Sequence, residues 1–279
     1  MSNVIACVDA HVHLHSCYDP DDLLQNAYDN LAAASDGVER AGARAYFLLL
    51  AECASDDCFG ALCALAGRQP ASSSAFGLRL RRWAVAPTGE TISVVARDGQ
   101  RELFIVAGRQ VACREGLEVL VLGTTHRFAD GRPIRDVLRE SDALAVPRVI
   151  PWGPGKWFFR RGRLLEALIA EFRKPTLFLG DEGGRPVFWG YPQHFARAAR
   201  LGVRDLPGTD PLPFPHDVHK VGRMGFKVAV DLDPARPGES LLRSLIQAQA
   251  PLERFATLEP PLRFVRNQIG MQLRKRLRA

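Results

Sequence analysis

A chain of 279 residues suits one large α/β domain, and its 47% apolar and 24% charged residues exclude collagen-like, coiled-coil and disordered classes. The net charge of +6 belongs to the tail: residues 262–279 hold six basic residues and no acid, leaving 31 charges of each sign in residues 1–261, so there is no strong nucleic-acid signal. The longest unbroken apolar run, 45–51, is far short of the ~20 residues of a membrane helix, and no basic-then-apolar leader opens the chain, so a cytoplasmic location is expected.

In chain order, residues 3–8 read as a buried strand. Asp19-Pro20 predicts a helix start, followed by a stripe of Leu23, Leu24, Ala27 and Leu31. Residues 45–51 predict a second buried strand, and Ser55-Asp56-Asp57 opens a helix running to about 66. Residues 67–75 read as a loop of small residues. Strand-like runs then follow at 92–96, 103–107 and 117–122, with Asp98-Gly99 as a hairpin turn, so 76–125 reads as an antiparallel β insertion. Helices are expected at 133–141, 160–173, 192–200 and 239–248, alternating with strands at 143–150, 176–180, 203–206 and 226–230. A basic amphipathic helix, 262–279, closes the chain; its cations suit a helix C-terminus and give it a weak affinity for anionic surfaces. Alternating strands and helices without a dinucleotide fingerprint predict a single α/β domain over 1–279, a TIM-like (β/α) barrel, distorted by the 76–125 insertion.

The chemistry begins at Asp9-Ala10-His11-Val12-His13-Leu14-His15. A strand has period 2, so His11 and His13 share a face, with Asp9 and His15 on the same parity. Two imidazoles at the end of a first strand suit zinc, and manganese or iron where carboxylates complete the set. The plainer reading is a polar strand end with satisfied histidines. Asp181, in Asp181-Glu182-Gly183-Gly184, and His126 also follow strands and are further ligand candidates, against a turn and a loop. His216 and His219 flank Asp217 in a Pro-rich loop. Trp152-Gly153-Pro154-Gly155-Lys156-Trp157 fails the Walker spacing, yet a Gly-rich turn before a helix can present N–H groups to an anion, with Lys156 and Arg160 adding charge. The six cysteines hold no Cys-x-x-Cys pair and read as thiols of a reducing compartment.

Asp9-Ala10-His11-Val12-His13 after an apolar strand, with Ser16 and Asp19 following, resembles the opening motif of the PHP (polymerase and histidinol phosphatase) and amidohydrolase-like metal-dependent hydrolases. Two shorter blocks are similar to the same group. Gly108-Arg109-Gln110-Val111 with 117–123 resembles the antiparallel pair whose Gly-x-Glu supplies a metal carboxylate, and Leu206-Pro207-Gly208-Thr209-Asp210 resembles the last-strand Gly-Ser/Thr-Asp. The resemblance implies a divalent cation on His11, His13 and Asp210, with Asp210 as general base. The chain departs from the pattern at Gln110, where a Glu is expected, and at Leu212, where a late His is expected. Its second strand ends Leu50-Ala51-Glu52 instead of Thr-Asp-His, which leaves Glu52 as an oxygen donor.

The resulting expectation is a metal-dependent hydrolase of a phosphoester or other anionic small molecule. Its metal ligands are drawn from His11, His13, Asp210, Asp181, Glu52 and His126. Asp210 and Lys156 are the catalytic groups, and Lys156 and Arg160 hold the anion. The alternative is a catalytically degenerate relative that binds a ligand or partner.

Overall fold

The computed structural model describes residues 2–35, 43–67, 78–248 and 252–278; the loop expected at 67–75 lies, beyond Gly67, outside them. In chain order the first strands and helices are β1 (Ser2–Val12), α1 (Pro20–Ser35), β2 (Arg44–Leu50), α2 (Cys58–Leu65), β3 (Ala84–Pro87), β4 (Ser93–Asp98) and β5 (Arg101–Val106). Then come β6 (Gly108–Ala112), β7 (Glu118–Leu122), α3 (Ile134–Asp142), β8 (Arg148–Pro151), α4 (Phe159–Phe172), β9 (Leu177–Gly180), α5 (Gln193–Arg200) and β10 (Arg204–Asp205). A 3-10 turn at Pro215–Lys220 precedes β11 (Met224–Leu232), α6 (Pro237–Gln247), β12 (Glu253–Ala256) and α7 (Pro261–Arg278).

These strands do not close into the expected barrel. They form two open sheets, β12-β11-β1-β2-β5-β4-β3 and β10-β9-β8-β7-β6. The reason lies in β1. Its edge over residues 2–8 is taken by β11, antiparallel, from Ser2↔Leu232 to Val8↔Phe226. A closing parallel strand would need that edge. The 76–125 region is antiparallel within β3-β4-β5 and within β6-β7, as expected, but it is not an insertion: β3 and β4 extend the first sheet, β5 pairs parallel with β2, and the chain passes to the second sheet at Ala107. Five strands in succession, β3 to β7, with no helix between them cannot be βα units.

Alternation along the strands builds the layers. Val4, Ala6, Val8 and Ala10 of β1 join Leu120, Leu122, Val149 and Phe178 in a core shared by both sheets. Cys7, Leu48 and Leu50 face the other way, onto Leu23, Ala27 and Leu31 of α1. The outer face of the second sheet packs Val119, Val121, Ile150 and Leu179 on α3, α4 and α5. Helix α1 starts where the sequence places its cap, with Asp19 Oδ1 accepting from the N–H of Asp21 at 2.9 Å and of Asp22 at 3.2 Å. Helix α6 is capped from afar: the buried Glu90 carboxylate accepts from Gly238 N–H at 2.6 Å and Glu239 N–H at 2.9 Å. Among the described residues no helix is long and apolar enough to cross a membrane.

Candidate metal centre

The two sheets are stitched together at one end by short backbone segments. Glu52 donates its N–H to Gly108 O (3.1 Å) and accepts from Gln110 N–H (2.8 Å), tying the end of β2 to β6. Residues 206–210 run between β9 and β1. Gly208 N–H bonds Asp181 O (3.0 Å), and Asp210 N–H bonds His11 O (2.8 Å). Gly208 permits this close passage, since a Cβ there would lie 2.3 Å from the His11 nitrogen. Asp210 itself sits at φ +45°, in the left-handed region that Asp tolerates better than most residues.

A bulge aims the histidines. Between Asp9 and Val12 the register on β2 shifts: three steps of β1 oppose two of β2, Leu48 to Leu50. Val12 therefore packs in the outer layer beside Cys7, although the two differ in parity. His11 and His13 turn to the inter-sheet mouth. Asp9, expected on their face, is left on the other side of the bulge. It is fully buried and binds protein alone, accepting from His11 N–H, Thr209 N–H, the Thr209 hydroxyl and Gly222 N–H. Burial lifts its carboxyl to about 6 against the pull of these hydrogen bonds.

At the mouth, His11 Nε2 lies 3.1 Å from His13 Nε2, and each lies 3.4 Å from Asp210 Oδ1. Gln110 Oε1 is 2.9 Å from His11 Nε2. One donor atom each from His11, His13 and Asp210 falls within 4.8 Å of the others. Burial holds the His11 ring below its usual value, outweighing Asp210. His13 also loses by burial, but Asp210 and the neighbouring Cys53 thiol push it up to about 10. Asp210 is held well below the carboxylate range by the two imidazoles and Glu182, which together outweigh its burial.

This donor set fits a divalent cation. Two imidazole nitrogens and two oxygens converge, and the two N–H hydrogens available cannot satisfy all four contacts; one cation at their centre can. Donors on a tetrahedral ion at about 2.1 Å stand roughly 3.4 Å apart. The separations here are 3.1, 3.4 and 3.4 Å.

The mouth opens into a cleft of about 410 Å3 whose lining includes His15, Cys53, Glu118, Lys156 and Glu182, with α7 contributing one wall through Phe264, Asn267, Gln268 and Met271. Burial and the nearby Asp210 raise the Glu182 carboxyl well above its ordinary value, and it hydrogen bonds to Asp210. Lys156 Nζ pairs with Glu118 at 2.6 Å. Burial works against the Lys156 charge, but Glu118 and Glu182 raise its pKa. His15 Nε2 meets Pro211 O at 2.9 Å, and burial lowers that ring to about 4.

The structure thus brings together His11, His13, Asp210 and Lys156. The other candidates lie elsewhere. Glu52 is buried in an ion pair with Arg109 (2.7 Å) and accepts from Phe59 N–H (2.6 Å). Asp181 is gripped by Arg185 through two 2.9 Å bonds and by Arg254 at 2.5 Å. His126 pairs with Glu140 at the surface (3.0 Å). Arg160 is exposed on the first turn of α4, outside the cleft lining. His216 leans on Asn267 and the buried Asp217, and His219 on Asn26. Glu118, at the cleft, was not singled out from the sequence, and Glu182, also at the cleft, was a candidate only as part of the Asp181-Glu182-Gly183-Gly184 run. Parity held a signal for the first: Glu118 shares its strand face with Leu120 and Leu122 of the inter-sheet core.

No family model matches the chain, and no curated protein matches it. Among solved structures it is similar to PsfC from Pseudomonas syringae PB-5123, with a TM-score of 0.51 and 15% identity over 98% of this chain and 99% of that one. At that identity the likeness is one of fold. The lesion-specific endonuclease PfuEndoQ from Pyrococcus furiosus aligns at a TM-score of 0.49 and 10% identity, over 90% of this chain and 57% of the endonuclease.

Proposed function

We propose that this protein is a metal-dependent hydrolase acting on a small anionic substrate, a phosphoester above others, as the PHP-like pattern of Asp9 to His13 suggests. The observation that carries the reading is the meeting of His11, His13 and Asp210 donors, about 200 residues apart in the chain, at the head of a cleft that also holds Lys156. A divalent cation on these three residues supplies Lewis acidity, acidifying water and polarising a substrate oxygen.

The chain's own groups do the rest. On this reading Asp210, ionised and hydrogen-bonded to Glu182, takes a proton from water and passes it on as the leaving group departs. Lys156 stays protonated in the cleft and offers its charge to the substrate anion, in exchange for part of its contact with Glu118. Asn267 and Gln268 of α7 supply amide donors on the facing wall.

The second reading, a binding protein without turnover, is supported by the amide of Gln110 where a carboxylate would strengthen the site, and by the engagement of Glu52 with Arg109. One experiment separates them. Elemental analysis of purified protein, with His11→Ala beside it, measures the metal, and a panel of phosphomonoesters and diesters with added zinc, manganese or iron measures turnover. Stoichiometric metal lost in the variant, together with turnover, supports the hydrolase. Stoichiometric metal without turnover on any ester supports the binding protein. Protein that takes up no metal and is equally stable in chelator sinks the hydrolase and supports the binding protein.

A further inference from the structure

Helix α7 has two unlike faces. Phe264, Asn267, Gln268 and Met271 wall the cleft. Leu262, Val265, Ile269 and Leu273, spaced 3, 4 and 4 residues apart, form a stripe on another side, exposed by 88%, 51%, 56% and 55%. A second exposed apolar element lies at the start of the helix, against the cleft-side Phe264. The loop bearing Val187 and Phe188, exposed by 56% and 61%, is hydrogen-bonded to Glu259 just before α7 (Val187 N–H to Glu259 O, 3.0 Å), and the Phe188 ring meets Phe264 edge-on at 5.9 Å. Beside the stripe stand the exposed Arg263, Arg266 and Arg276, and residues 262–279 contain no acid.

We infer that the exposed apolar stripe of α7 forms a docking surface for an anionic lipid bilayer. Apolar side chains in a row on a helix flanked by cations are the chemistry that settles into the headgroup layer of such a membrane. A second copy of the chain is a poor occupant, because pairing two such helices brings arginine flanks together with no acidic residue in 262–279 to offset them. The side chains are more than half exposed, and Ile269 and Leu273 border a shallow hollow of about 280 Å3 together with Arg276. The inference stands on the surface alone and not on the metal reading.

Flotation of the full chain with vesicles of phosphatidylcholine, with and without roughly one third phosphatidylserine, tests it. The expected result is capture by the anionic vesicles only, weakened by salt. Ile269→Glu with Leu273→Glu should reduce capture at least about tenfold, and Arg266→Gln with Arg276→Gln should flatten the salt dependence. Both pairs are exposed, so an unchanged melting temperature shows that the fold is intact. Absence of capture overturns the inference, as does capture indifferent to Ile269→Glu with Leu273→Glu. A concentration-dependent dimer that this double variant dissolves overturns it in favour of self-association.

Discussion

The carboxylate of Asp9 grips Thr209 twice, through the backbone N–H at 2.9 Å and the hydroxyl at 2.5 Å, across 200 residues of sequence. This pair holds the segment carrying Asp210 against the strand carrying His11 and His13. Asp9→Ala leaves buried N–H groups of Thr209 and Gly222 without an acceptor and is expected to cost about 4 kcal/mol in urea unfolding. In the protein that still folds, zinc affinity by calorimetry should drop roughly 10–100-fold, the loss typical of a group that orients metal ligands. Thr209→Val removes the hydroxyl contact alone and should cost about 1.5 kcal/mol. An Asp9→Ala protein with unaltered zinc affinity would show that the strap is not needed to place Asp210.

Gly208→Ala tests the close passage directly. Its Cβ would meet the His11 backbone nitrogen at 2.3 Å, with no flexible side chain to yield. A loss of about 3 kcal/mol or more is expected. Gly190→Ala, where nothing lies within 4 Å and φ is not positive, serves as the neutral control.

Metal binding should be visible as stability. A free zinc concentration a hundredfold above Kd adds about 2.7 kcal/mol, or roughly 5–10 °C in melting temperature for a domain of this size. His11→Ala, His13→Ala and Asp210→Asn should each abolish the shift. Equal melting temperatures of the native chain in zinc and in chelator would refute the donor triad.

Lys156 is expected to act on the substrate and not on the metal. Lys156→Met should lower kcat/KM by about 10–100-fold, the worth of one charge-assisted hydrogen bond, and weaken competitive inhibition by inorganic phosphate to a similar degree. Metal content should not change. Lys156→Arg should restore part of the inhibition. A variant that loses metal instead would place Lys156 in the cation's support.

Asp21 offers a pH test away from the cleft. Burial raises its carboxyl, but the N–H groups of Trp83, Arg81 and Arg82 bond to it and bring it below the ordinary 3.8. A depressed folded-state value stabilises the protein above the unfolded value and loses that contribution as pH falls through the folded one. Asp21→Asn should therefore cost about 2 kcal/mol at neutral pH, with the gap from the native chain shrinking below pH 3.8. A gap constant from pH 7 to 2 would exclude this account.

How much of this was readable beforehand varied by scale. Local periodicity located most elements, because the apolar stripe of α1 and the alternation of β1 are written in adjacent residues. Strand pairing was not readable: nothing near residue 5 announces that Ala229 will lie beside it, antiparallel. The barrel expectation failed on that non-local choice. At the site, period 2 correctly placed His11 and His13 on one face but could not foresee the bulge that parts them from Asp9. Between neighbours Asp181 and Glu182, local pattern offers no means to choose. Arg254, distant in the chain, claims Asp181 and leaves Glu182 to the cleft.

The 200-residue span between Asp9 and Thr209 also sets when the site comes into being during synthesis. A nascent chain carrying only the first two strands has both imidazoles but neither Asp210 nor the strap that brings it to them. Any ion capture at this centre would therefore come late in synthesis, and a truncated product would carry a pair of histidines with little hold on metal.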